Sequence, residues 1–151
     1  MAQADKQMPL AVIFDGQGGG IGRGIAEHLL HEKLPIRLIV VGTNAVATSN
    51  MMKAGVSTGA TGENACVYNC AQADIIIGPI GIVFPNAMHG EISSRMTNAV
   101  MESAAEKVLV PVANNHVQIV GLQPRPLAQT LDEMAEMVRR LLPPNDEYNG
   151  Q

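Results

Sequence analysis

Five of the seven positions from Gly16 to Gly22 are glycine, and the run follows directly on the apolar stretch Leu10–Phe14. Ile21, Ile25 and Leu29 then recur every four residues, which is the spacing of a helix with one apolar face. A short apolar strand, a glycine turn and an amphipathic helix form the opening unit of a parallel α/β fold. Glycine permits positive φ and lets a ligand or a neighbouring backbone approach closely, while a helix N-terminus presents unpaired N–H groups to an anion. That junction restricts both the fold and the kind of ligand the chain can hold.

The rest of the chain repeats the alternation. Strands are expected at Leu10–Phe14, Ile36–Val41, Val56–Thr58, Asp74–Ile77, Val108–Val112 and Val117–Gly121, with helical segments between them. The last helix is marked by Leu127, Leu131, Met134, Ala135, Val138, Leu141 and Leu142 on one stripe, and Pro143 and Pro144 end it. The expected architecture is a Rossmann-like, doubly wound, mostly parallel α/β sheet in strand order 3-2-1-4-5-6, as a single domain over residues 10–142. The flanking segments 1–9 and 143–151 are polar and without period, and are expected to be mobile tails. At 151 residues there is room for one core and none for a separate substrate domain.

Composition narrows the partners. A net charge of −4 argues against nucleic acid, and four aromatic residues with no Trp argue against a base-stacking platform. The longest apolar run, Ile75 to Phe84, is interrupted by Gly78, Pro79 and Gly81 and falls short of a bilayer, so no membrane partner is expected. No export signal is visible, and the two cysteines are read as reduced thiols in a cytoplasm. Only 16% of residues are charged, which suggests that part of the surface is covered in a homo-oligomer.

In an open parallel sheet, ligands bind beyond the carboxyl ends of the strands, where strand order reverses. The expected topology gathers five polar turns there: 15–22, 42–44, 59–64, 78–89 and 114–116. Candidate binding residues are Gly16, Gln17, Gly18, Gly20, Ile21 and Gly22 in the first turn and Thr43 and Asn44 in the second. Gly62, Glu63 and Asn64 belong to the third, where helix capping by Thr61 is an equally good reading, and Gly78, Pro79 and Gly81 to the fourth. Candidate proton-transfer residues are Asp15, His89 and His116, although Asp15 is better read as shaping the glycine loop. Cys66 and Cys70 are four apart on a helix and are read as buried thiols, and no metal site is expected.

The Gly16, Gly20, Gly22 spacing, G-x-x-x-G-x-G, resembles the cofactor loop of the short-chain dehydrogenase/reductase family. That resemblance implies a dinucleotide, NAD or NADP, with Gly16, Gly20, Ile21 and Gly22 along its pyrophosphate. Asp15 stands where that family usually has Thr. The acidic residue expected at the end of the second strand is replaced by Gly42, Thr43 and Asn44, with Asn44 left to bond a ribose hydroxyl. The catalytic Tyr-x-x-x-Lys pair is missing, since Tyr68 is followed at that distance by Gln72. The whole chain, through its G-Q-G-G-G-I-G, G-T-N-A-V-A-T-S, G-A-T-G-E-N-A and I-I-I-G-P-I-G-I stretches, resembles a family of small bacterial Rossmann-like proteins of unknown function. The functions in view are therefore binding of a nucleotide or dinucleotide, a non-enzymatic ligand sensor or assembly subunit, and a small oxidoreductase or nucleotide-dependent transferase completed by a partner subunit.

Overall fold

Strand β1, Leu10–Asp15, is buried along all six residues, as expected of a continuous apolar run in the middle of a parallel sheet. The computed structural model describes residues 8–112 and 117–144. In it β1 pairs in parallel with β2 (Arg37–Gly42) on one side and β4 (Ile75–Pro79) on the other. Outside these lie β3 (Gly59–Thr61) and β5 (Glu106–Val110), also parallel, giving the order β3-β2-β1-β4-β5. This is the doubly wound, Rossmann-like order expected from the sequence, with five strands.

The expected sixth strand, Val117–Gly121, does not form. Leu122 N–H closes a turn onto Ile119 C=O and Gly121 takes φ +88°, which cuts the β-branched run short. Three other boundaries shift. The third strand is Gly59–Thr61 instead of Val56–Thr58, because pairing with β2 begins only where Thr58 C=O accepts from Val40 N–H, and Val56 lies before it with its side chain in the core. The fourth runs on through Gly78 and Pro79, and the fifth starts and ends two residues early. The expected tails, 1–9 and 143–151, fall mostly outside the described residues, as does 114–116 with its His116.

Side chains alternate between two cores. Ala11 and Ile13 face α1 (Gly20–His31), α2 (Ala45–Met52) and the last helix, α5 (Leu127–Leu141). Leu10, Val12 and Phe14 face α3 (Glu63–Gln72), α4 (Ser94–Glu102) and the short 3₁₀ turn Ile80–Val83. Helix α1 buries Gly22, Ile25, Ala26 and Leu29, and α5 buries Leu131, Met134, Ala135 and Val138, as their spacing predicts, whereas Leu127 and Leu141 of the expected stripe are about two-fifths exposed. Arg139 on α5 pairs with Glu32 just past α1. Strand order reverses between β1 and β4, so the loops after these two strands flank the crevice expected for a ligand. Among the described residues no helix is long and apolar enough to cross a membrane.

Candidate functional site

Asp15, the last residue of β1, is almost fully buried and organises the glycine loop. Its Oδ1 accepts the Gly16 N–H at 2.7 Å and its Oδ2 the Gly22 N–H at 2.8 Å. Burial pushes its carboxyl above the ordinary range; the two amides oppose this and the nearby Glu91 adds to it. Both oxygens are engaged by the loop, which is the structure-shaping role anticipated for this residue.

The five glycines divide by what surrounds them. A Cβ on Gly22 would lie 2.4 Å from Met51 Sδ, so this residue serves helix packing and faces away from the crevice. Gly19 takes φ +72° as the N-cap of α1 and abuts Ala47. Gly16 is buried beneath Met88, Thr43 and Glu91. Gly18 and Gly20 are exposed, and among the described residues a Cβ at either would meet nothing within 4 Å.

A crevice of about 1210 Å³ opens beside them, between the ends of β1 and β4. Asp15 to Ile21 form one wall and Pro79, Gly81 and Phe84 to His89 another, with Val112, Val117 and Leu127 at the apolar end. The structure thus brings Gly16, Gln17, Gly18, Gly20, Ile21, Pro79, Gly81, Asp15 and His89 to one cavity. Gly78 lies within β4, where a Cβ would be 2.3 Å from Phe14 C=O, so its smallness lets β4 approach β1.

Sequence reasoning missed Glu91. Its Oε1 accepts from Gln17 N–H at 2.9 Å, Thr43 Oγ1 at 2.6 Å and Asn44 Nδ2 at 2.8 Å. Burial alone would raise its carboxyl, but these three donors, with His89 nearby, hold it below the ordinary range. Thr43 and Asn44 are therefore engaged with Glu91, and Asn44 Oδ1 also caps α2 by accepting from Ala47 N–H at 2.9 Å. No local pattern marks Glu91, because its partners lie 47 to 74 residues away in the chain.

The third turn sits apart from the cavity. Glu63 accepts from Ser93 Oγ at 2.6 Å and pairs with Arg95, tying the N-termini of α3 and α4 together. The Ser93 hydroxyl, with Arg95, holds the Glu63 carboxyl below the ordinary range. Gly62 has φ +103° and supplies the turn into α3, while Asn64 is exposed beside it. Cys66 and Cys70 are buried with their sulfurs 3.9 Å apart, and hydrogen bonding to Cys70 together with burial pushes the Cys66 thiol up. Among the described residues no group of three His, Cys, Asp or Glu side chains is placed to hold a metal ion.

The crystal structure of AibC is similar over 87% of this chain and 39% of its own, at 16% identity and a TM-score of 0.45. A dodecameric FMN-dependent Ubix-like decarboxylase from Escherichia coli O157:H7 is similar over 89% of this chain and 76% of its own, at 16% identity and a TM-score of 0.40. The chain thus spans well under half the length of the first of these. No curated protein sequence matches it. The family described as Domain of unknown function (DUF3842) matches residues 10–143, from the first residue of β1 to just beyond α5, and the chain belongs to that family.

Proposed function

We propose that this protein binds a phosphorylated, nucleotide-type ligand in the crevice between β1 and β4. The observation that carries this reading is the state of Gly18 and Gly20. Packing accounts for Gly16, Gly19 and Gly22, but among the described residues nothing occupies the space that side chains at Gly18 and Gly20 would fill. Both stand on the crevice wall at the N-terminus of α1, where backbone N–H groups and the positive helix end favour an anion. By resemblance of the loop, NAD and NADP are among the ligands to be tested. Binding is better supported than catalysis: both Asp15 oxygens are engaged, and His89 is the one described histidine on the crevice.

A thermal-shift panel of NAD, NADP, FAD, ATP, ADP and S-adenosylmethionine tests the proposal, run in parallel on Gly20→Val. At least one compound raises the melting temperature of the parent and fails to do so in the variant. No shift, or equal shifts in both proteins, overturns it.

A homo-oligomer is the second part of the reading. Val117, Ile119 and Leu122 are about two-fifths exposed and Val120 fully so, an unusual concentration of apolar surface on one short segment. Light scattering of the parent and of Val120→Asp is the test. The parent gives a multiple of the 16.0 kDa chain mass and the variant a smaller one; a monomeric parent removes this part of the reading.

A further inference from the structure

We infer that Glu91 walls off the β2 end of the crevice, so that the site admits a single-lobed phosphate ester and rejects a dinucleotide. This rests on the proposed ligand reading and narrows its substrate class. In a doubly wound sheet a dinucleotide lies across the switch point, with one half over the end of the second strand. Here that end is already filled by the protein.

Three observations carry the argument. First, the side chains just beyond β2 are engaged: Thr43 Oγ1 and Asn44 Nδ2 donate to Glu91, Asn44 Nδ2 also reaches Gln17 C=O at 3.0 Å, and Asn44 Oδ1 caps α2. Second, the backbone at Gly16 is roofed. A Cβ there would lie 2.7 Å from Met88 Sδ and from Thr43 Oγ1 and 3.2 Å from Glu91 Oε1, so its β2 side is crowded by these side chains. Third, the crevice stops at Gln17, and Thr43, Asn44 and Glu91 do not line it.

The wall is also rigidly built. Asn86 N–H donates to Ile92 C=O at 2.7 Å, Ile92 N–H returns to Ala87 C=O at 3.2 Å, and Gly90 N–H bonds Asn86 C=O at 3.1 Å. Asn86, Met88, His89 and Gly90 all hold positive φ, a run that only a fully specified loop sustains. The carboxylate adds charge to shape, since a second phosphate near β2 would face Glu91 with Asp15 behind it. What remains open is a phosphate position at Gly18 and Gly20 and an apolar end at Phe84, Val112, Val117 and Leu127. One phosphate and one largely apolar body match that shape.

Calorimetric titration of the full chain with AMP, riboflavin 5′-phosphate, NAD and NADP tests the inference. The tighter of the two monophosphates binds the parent at least tenfold better than either dinucleotide. In Glu91→Ala the ratio of dinucleotide to monophosphate affinity rises at least fivefold. Should that variant not fold, Thr43→Val removes the shortest of the three bonds and supplies the same comparison. A dinucleotide that binds the parent as well as the best monophosphate, or a ratio unchanged in the variant, overturns the wall and leaves the ligand reading intact. No binding of any probe to parent or variant overturns both.

Discussion

The Asp15 carboxylate, at the end of β1, accepts the Gly22 amide in the first turn of α1 at 2.8 Å, so strand and helix are clamped across the loop between them. The same carboxylate takes the Gly16 amide. One side chain therefore satisfies a donor on each side of the turn and fixes the helix end that faces the crevice.

Asp15→Asn replaces one acceptor with a donor opposite a buried N–H. The loss of a buried, charge-assisted bond is expected to cost about 2–3 kcal/mol. In a chain of this length that corresponds to a fall of roughly 5–10 °C in melting temperature, read by calorimetry. A change under about 1 kcal/mol would show that Asp15 does not organise the loop.

Gly19→Ala and Gly18→Ala should behave very differently. At Gly19 a Cβ meets Ala47 C=O at 2.6 Å and φ is +72°, so a cost of more than about 2 kcal/mol is expected. At Gly18 the space is open, and stability should stay within about 0.5 kcal/mol of the parent. Urea unfolding of the two variants checks both values.

Asp15 and Glu91 give acid stability contributions of opposite sign. Glu91 has its carboxyl lowered from 4.5, so its contribution is present above that value and is lost as pH falls through the lower folded value. Asp15 has its carboxyl raised from 3.8, so the folded state holds the proton more tightly. Its contribution is present in full below 3.8 and declines as pH rises through the raised value. Unfolding free energies measured from pH 3 to 7 should show the parent's margin over Glu91→Gln growing with pH. The Asp15 titration pulls the other way, so the parent's margin over Asp15→Asn should shrink with pH.

Cys66 and Cys70 are fully buried on the inner face of α3. Iodoacetamide should label neither at a useful rate in the native protein and both once the chain is unfolded. Cys66→Ala should cost about 1–2 kcal/mol, through lost packing with Met96 and its neighbours. Fast labelling of the native protein would mean that the α3–α4 layer opens readily.

The central strands were legible because each carries its own apolar run, and the first and last helices because each carries an apolar stripe at helical spacing. The edges were not. Gly59-Ala60-Thr61 has little β-propensity and becomes β3 only by pairing with Val40, Val41 and Gly42. Val117–Gly121 has the composition of a strand, yet the left-handed Gly121 and the turn from Ile119 to Leu122 bend it away. At the candidate site, the glycine loop was visible as a local motif. Glu91 was hidden because its role arises only when a loop after β4 folds over the end of β2.

The central position of β1 shapes how the chain must be made. Its partner β2 follows closely, but Leu10 waits 64 residues for Asp74, whose carboxylate accepts its amide as β4 arrives on the other edge. At about 5–20 residues per second, a ribosome takes several seconds to cover that distance. During that interval β1, buried along its whole length in the finished fold, has one unpaired edge, a ready template for other nascent chains. Early cover for β1, from α1 or from a chaperone, is thus a requirement of synthesis that the finished fold no longer displays.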